Sequence, residues 1–397
     1  MQNTAPQVDL LIRNGRVIDP EQGIDRVRDL AILEGKMVDV PRTEQVTARS
    51  VVDASGCYVV PGMIDFHTHI YHDGTAPGVN ADVACIPAGV TTAVDQGSTG
   101  HATCRMFLRQ CEQRMVRTKM FLHVSPFGQI YLQHALEAYC PEKWDRWEYR
   151  AALEAGGDRI VGLKMRLQKG VLGANDPSEL LDQALELAND LSKPLCIHMT
   201  DPALPMQEVA KRLRPGDIVA HVFHGRGDTI FDENGHIYPE IRAARERGVL
   251  FDMAHGSVNF SPKIAQRAIE EGFLPDIVST DNTKYGWLKP DVGSLPHIMA
   301  QMLSLGMSME QVVHCVTAAP ARALGMEGKI GTFKTGAYGD VTFLKVVERD
   351  MHFVNALGEE NRGSQMIVPQ ATILNGEMVY KPEDSAVERS VYKLAVF

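Results

Sequence analysis

Gly62-Met63-Ile64-Asp65-Phe66-His67-Thr68-His69 is the stretch on which the fold turns. It is a short apolar run that ends in two histidines one residue apart. Side chains alternate along a strand, so this spacing points His67 and His69 to one face. Neutral imidazoles held side by side grip a divalent metal. His-x-His also arises by chance, so the meaning of the pair depends on whether the rest of the chain supplies further ligands.

Outward from this run, the chain alternates short apolar segments with helical patterns. The segments span 63–70, 91–97, 119–126, 160–167, 194–200, 218–225, 249–256 and 276–281. Between them, Glu179-Leu180-Leu181-Asp182-Gln183-Ala184-Leu185-Glu186-Leu187-Ala188 has helical periodicity, with Asp176-Pro177 at its start. Eight strand–helix units with near-continuous apolar strands predict an α/β fold, a (β/α)8 TIM barrel over 61–330. A doubly wound open sheet is the alternative, but no Gly-x-Gly-x-x-Gly follows a strand to open a helix.

Both chain ends read as β. Asn14-Gly15, Glu34-Gly35 and Asn375-Gly376 each lie between apolar runs and predict hairpins. Segments 1–60 and 331–385 are expected to pair into one composite β-sandwich domain, with 386–397 as a C-terminal tail.

Composition narrows the function. The chain has 397 residues, 44% hydrophobic and 23% charged, enough for a large core and against disorder. A net charge of −10 argues against a nucleic-acid partner. No run approaches the roughly 18 apolar residues of a membrane span. Met1-Gln2-Asn3-Thr4-Ala5-Pro6-Gln7 lacks the pattern of a signal peptide. Seven cysteines without a Cys-x-x-Cys argue against a disulfide framework or structural zinc site, and together these features lead to an expected cytoplasmic location. Cys196 shares the parity of His198 and reads as a small core residue, and the 18 methionines read as core filler.

Barrel active sites lie at the C-terminal ends of the strands. Six of the eight expected strands end in a ligand or acid/base group: His67 and His69, Lys164, His198, His221, His255, and Asp281. This order resembles the amidohydrolase superfamily, specifically its dihydroorotase-like and deacetylase-like branch. The resemblance spans the chain, including Val59-Val60-Pro61-Gly62-Met63-Ile64-Asp65 and Thr317-Ala318-Ala319-Pro320-Ala321-Arg322-Ala323-Leu324-Gly325.

The resemblance implies a role for each of these residues. His67 and His69 bind the more buried metal. Lys164 is carboxylated by CO2, and its carbamate bridges two divalent ions, expected to be zinc; manganese, iron and cobalt are alternatives. His198 and His221 bind the second metal. Asp281 binds the first metal and acts as general base for a metal-bridging hydroxide that attacks a polarised carbonyl. His255 is expected to contact substrate or aid proton transfer. Arg166 shares a face with Lys164 and suits a substrate carboxylate. Tyr71, His72, Ser98 and Thr99 follow strand ends and are expected in the pocket, with His224 a further candidate or a competing ligand.

Position 71, where dihydroorotases typically carry a carboxylate-binding arginine, is tyrosine. Gly162-Leu163-Lys164-Met165-Arg166 and Asp252-Met253-Ala254-His255-Gly256 look most like the deacetylase-like branch, which includes acetyl-(R)-mandelate esterase-like enzymes. The expectation is hydrolysis of an amide or ester bond in a small N-acyl or O-acyl carboxylic acid. Alternatives are a cyclic amide or lactone hydrolase and, from another class, a silent scaffold. A homo-oligomer acting on a small molecule is expected by the same resemblance.

Overall fold

The computed structural model describes residues 7–39, 46–130, 137, 139–287 and 292–391. Part of the expected tail, 392–397, lies outside them, as do residues 1–6. Seven parallel strands pair in chain order: Met63–Thr68, Val90–Gly100, Arg117–His123, Ile160–Arg166, Leu195–His198, Ile218–Ala220 and Leu250–Asp252. Their residues are almost all buried, as strands covered on both faces must be. Helices such as Pro177–Asp190 cover the outside, entered through an Asp176 side chain that accepts from Ser178 and Glu179 N–H groups.

The eighth position is filled by residues 277–282 without forming a regular strand. Parallel bridges join Asp252 to Ile277 and Thr68 to Asn282. On one side Met253 N donates to Ile277 O at 2.9 Å, and on the other Asp281 N donates to His67 O at 2.7 Å. The segment departs from strand geometry because the Asp65 carboxylate takes the Thr280 N–H (3.0 Å) and hydroxyl (2.7 Å). Asp281 then turns into the left-handed region at φ +51°.

The first strand also departs from simple alternation. Ile64 and Phe66 pack with Val94, Phe121 and Cys196 in the barrel interior. Strict alternation would then send His67 outward. A register irregularity between Asp65 and Thr68 re-aims the strand end, and the His67 ring comes within 5.0 Å of His221.

Two more sheets come from the chain ends. A five-stranded sheet runs Glu388–Val391, Thr47–Asp53, Gln7–Arg13, Leu30–Leu33, Lys36–Val38. A six-stranded sheet runs Glu377–Tyr380, Glu360–Leu374, Val341–Val354, Tyr58–Pro61, Arg16–Asp19, Ile24–Val27. Leu10, Ile12, Val17, Val59, Phe343 and Ile373 share the buried core between them.

Two expectations change here. Asn14-Gly15 is a corner between the two sheets, not a hairpin: Gln7–Arg13 pairs with Leu30–Leu33 and Thr47–Asp53, and Arg16–Asp19 with Ile24–Val27 and Tyr58–Pro61. A tight turn specifies a reversal, but burial of the flanking strands decides their partners. Glu34-Gly35 and Asn375-Gly376 do close hairpins. The segment set apart as a tail contributes Glu388–Val391, antiparallel to Thr47–Asp53, beside a fully buried Val387. Its polar run Glu388-Arg389-Ser390 carries no apolar alternation to announce a strand.

The long hairpin Val341–Val354/Glu360–Leu374 leaves the sandwich and reaches the barrel mouth. At its tip, Ala356 N donates to Ser257 O at 3.1 Å and Asn355 Nδ2 to Phe260 O at 2.7 Å.

Replacing Asp65 by Ala strands the buried Thr280 N–H and hydroxyl, a loss of about 3 kcal/mol. Urea unfolding should show a lower midpoint at unchanged slope. A midpoint equal to wild type would count against the role given to Asp65.

Candidate active site

Lys164 reaches the barrel centre from the fourth strand, opposite Cys196 on the fifth. The second strand makes room for it with Gly97 at φ +82°, where a Cβ would sit 2.7 Å from Lys164 Cγ. Lys164 Nζ lies 3.4 Å from His67 Nε2 and 3.6 Å from Cys196 Sγ. Its hydrogen-bond contacts are thus an imidazole and a thiol, an unusual setting for a buried amine.

Three of the histidines are each held by one nitrogen with the other turned inward. His67 Nδ1 lies 3.1 Å from Asp252 Oδ2, and His69 Nδ1 lies 3.0 Å from Ser98 Oγ. His221 Nδ1 donates to Ala254 O at 2.7 Å, which leaves Nε2 as a lone pair. This contact uses two residues at positive φ, His221 (+67°) and Ala254 (+39°). Strained backbone of this kind persists where surrounding structure over-determines it.

The inward nitrogens converge. The His198 and His221 rings are 4.3 Å apart, and His67 Nε2 and His69 Nε2 lie 3.6 Å and 3.2 Å from Asp281 Oδ1. Ligand atoms of His67, His221 and Asp281 all fall within 4.8 Å of one another. His198 Nε2 and His221 Nε2 are buried without a hydrogen-bond partner.

Electrostatics agrees with this geometry. Burial, followed by the neighbouring Lys164 and histidine charges, holds His67 well below its ordinary value. Burial, then His221 and Arg166, does the same for His198. Burial outweighs Asp281 at His221 and brings it to about 3. These rings are neutral near pH 7 and offer lone pairs. Burial would raise Asp281, but the His69 hydrogen bond, followed by the electrostatic pull of His221, His69 and Lys164, outweighs it and leaves the carboxyl lowered. Asn259 Nδ2 donates to Asp281 Oδ2 at 2.8 Å, and Gly256 lies so close that a Cβ would sit 2.2 Å from that oxygen. Converging orphan lone pairs beside an anion fit a divalent cation.

A cavity of about 430 Å³ opens on this cluster, lined among others by His69, His198, Asp281, Arg166, Val258 and Tyr285. Arg166 Nη1 donates to Glu137 Oε1 at 2.6 Å, and Nη2 donates to Gln168. A larger cavity of about 1070 Å³ lies at the opposite end of the barrel, beside Pro194, Gly216 and Gly248. It touches none of the cluster, so the smaller cavity is the functional candidate.

The structure thus brings His67, His69, Lys164, His198, His221, Asp281 and Arg166 together. It places the other candidates elsewhere. His255 stacks on Phe260 at 4.5 Å with Nε2 2.9 Å from Gln301 Oε1, because the backbone turns at Ala254. Tyr71 stacks on Phe107 at 4.6 Å, and His72 pairs with Asp73 at 3.0 Å. The Asp95 carboxylate binds Ile70 N at 2.8 Å, after which the chain turns outward. Ser98 orients His69 instead of facing the pocket, and Thr99 bonds Thr103. His224 Nδ1 accepts from Arg226 N at 3.3 Å, its ring buried and held to about 4 chiefly by burial.

Several site residues carry little or no signal in the sequence: Asp252, Asn259, Glu137, Gly97 and Gly256. Asp252 has one, as a charged residue inside the apolar seventh run. Three donors converge on it, from His67, Ser279 and Ala254. The others act through loops or through an absent side chain, and no local pattern marks them.

Comparison with known proteins agrees with this geometry. A family model described as the amidohydrolase family matches residues 58–379. A deacetylase of Brucella anthropi is 29% identical over 333 residues, covering 83% of this chain and 81% of that protein. A dihydroorotase crystal structure superposes with a TM-score of 0.80 at 27% identity, covering 94% of this chain and 97% of the other. An adenine deaminase crystal structure superposes with a TM-score of 0.84 at 24% identity, over 94% and 100% of the two chains, and shares the fold.

The geometry makes two outcomes measurable. Gly97→Ala should displace Lys164 and lower the metal content of purified protein, read by elemental analysis; wild-type content would refute the Gly97–Lys164 constraint. In metal-free protein, His221 is held near 3 when folded, against an ordinary value near 6.5. Its stabilising effect is complete above pH 6.5 and lost as pH falls toward 3. Between pH 7.5 and 5, each such histidine should subtract roughly 2 kcal/mol from the unfolding free energy, while Asp65 and Asp252, raised by burial to about 7, act in the opposite direction. Replacing His221 with Gln should remove that residue's share of the fall, and a profile unchanged by the replacement would contradict a neutral, buried ring.

Proposed function

Because the chain belongs to the amidohydrolase family, we propose that it is a metal-dependent hydrolase of the amide or ester bond in small N-acyl or O-acyl carboxylic acids. The observation that carries this reading is one cavity lined by His69, His198 and Asp281 and also by Arg166. A scissile carbonyl at the cluster and a carboxylate at the guanidinium would belong to one short molecule. The deacetylase name of a relative covering 83% of this chain supports the acyl assignment.

His67, His69, His198, His221 and Asp281 would hold divalent ions, zinc by ligand chemistry, with Lys164, once carboxylated, as a further ligand. When bound, the ions supply an acidified water and polarise the carbonyl. The remaining work belongs to the chain. Asp281, ionised at neutral pH, accepts the proton of the attacking water and returns it to the leaving group. Asn259 holds one Asp281 oxygen while the other faces His69 and His67. Asp252 and Ser98 keep two imidazoles aimed inward. The Asp281 side chain sits in a deeply buried cluster, where charges act strongly.

A cyclic amide hydrolase is the second reading, favoured by the 27% identity to the dihydroorotase structure over 94% of this chain. A ring and an open acyl compound present the same carbonyl. A silent scaffold is disfavoured by the convergence of all six candidate ligand side chains.

A panel of N-acetyl amino acids, acetylated hydroxy acids, hydantoins and lactones tests the reading. Turnover of open-chain acyl acids is expected, abolished by chelation and restored by zinc. Turnover of cyclic compounds alone would reverse the order of the two readings, and metal content well below one ion per chain after growth with added metal would favour the scaffold. Incubation with 13C-bicarbonate should yield a carbamate resonance in wild type that Lys164→Ala lacks.

A further inference from the structure

Behind Arg166 lies a buried polar assembly that the proposed chemistry does not use. His123 ends the third strand, Arg166 ends the fourth, and Glu137 and Tyr139 lie across both. Glu137 Oε1 accepts from Arg166 Nη1 at 2.6 Å. Glu137 Oε2 accepts from the Tyr139 hydroxyl at 2.6 Å and lies 3.1 Å from His123 Nε2. His123 Nδ1 accepts from Ser125 N at 2.9 Å, which assigns its proton to Nε2, the nitrogen facing the carboxylate. The Tyr139 hydroxyl in turn accepts from Arg166 N at 2.9 Å.

One carboxylate therefore restrains Arg166 twice, through its guanidinium directly and through its backbone by way of Tyr139. Gln168 takes a second guanidinium nitrogen. Two of the five N–H donors are engaged by these acceptors, and the head group still lines the cavity with His69, His198 and Asp281. Side-chain exposure is 13% for Arg166 and 3% for Glu137. Burial would raise Glu137, but the electrostatic pull of His123 and Arg166, with the Tyr139 hydrogen bond, overrides it, to about 2.

A free arginine loses rotamer entropy on binding, roughly 0.5–1.5 kcal/mol per immobilised side chain. An arginine already fixed from three sides does not. A planar, permanently charged fork is matched to a planar anion. Pairing with Glu137 also lets a buried guanidinium sit beside a centre built for cations.

We propose that Glu137 is a positioning residue, which with Tyr139 fixes the Arg166 guanidinium as the receptor for the substrate's carboxylate. The proposal rests on the reading of the cavity as an acyl-acid hydrolase site.

The test uses the holoenzyme with the best N-acetyl amino acid of the panel and the N-acetyl amine that lacks its carboxyl group. Wild type should prefer the acid. Glu137→Gln should raise KM for the acid about tenfold or more, as loss of a charged hydrogen bond implies, with kcat within about threefold and the decarboxylated analogue unaffected. Tyr139→Phe, a milder change, should move KM in the same direction. Arg166→Met should abolish the preference for the acid. Equal losses on both compounds in Glu137→Gln would mark a merely structural role and overturn the proposal, as would an unchanged KM. If wild type turns over no acyl compound, the hydrolase reading fails separately. Glu137 is then read by calorimetric binding of N-acetylglycine, expected to weaken about tenfold in Glu137→Gln by the same lost bond, and equal affinities overturn the proposal.

Discussion

The two hydrogen bonds from Thr280 to the Asp65 carboxylate close the barrel together with the backbone bonds from Asp281 N to His67 O and from His69 N to Asn282 O. They bind the first strand to the segment that stands in for the eighth. That segment carries Asp281, and the first strand carries His67 and His69. The geometry of the candidate site therefore depends in part on a side chain doing what a backbone carbonyl does elsewhere in the sheet. The substitution frees the backbone at Asp281 to enter the left-handed region and turn its carboxylate toward the imidazoles.

Around that closure the centre obeys one electrostatic rule. Deep burial keeps His67, His198 and His221 neutral, and hydrogen bonds on the outer nitrogens of His67 and His221 keep their inner ones available. The same burial would neutralise Asp281, were it not answered first by the His69 hydrogen bond and then by the electrostatic pull of the cluster around it. Glycines 97 and 256 complete the arrangement by leaving space where any side chain would collide with Lys164 or Asp281.

The barrel is legible in the sequence because buried parallel strands show as apolar runs, and six of those runs end in polar groups that could serve one centre. The register irregularity before His67 is not legible, since it depends on pairing with the neighbouring strand. Tyr71 and His72 look close to the pocket by their place in the chain. Asp95 binds Ile70 N and the chain then turns away, a contact 25 residues distant. His255 shares a strand end with Asp252, yet the turn at Ala254 sends it to Gln301. Glu137 and Asn259 belong to loops, where neither period nor propensity says what a side chain will touch. Lys164 and Arg166, two residues apart on one strand, keep their shared face, the case alternation handles well.

The hairpin Val341–Val354/Glu360–Leu374 bears on how the molecule is made. Tyr58–Pro61 near the start of the chain pairs with Val341–Val354, and the hairpin tip closes over the loop after the seventh strand. On a ribosome, the first sheet strands emerge long before their partners exist. The barrel strands come next, with a mouth that lacks one wall until residues 341–374 arrive. Pairings this distant in sequence are slow to form and leave strand edges exposed meanwhile. Until residues 341–374 are made, Tyr58–Pro61 lacks its antiparallel partner and the pocket lacks the wall that Ala356 supplies.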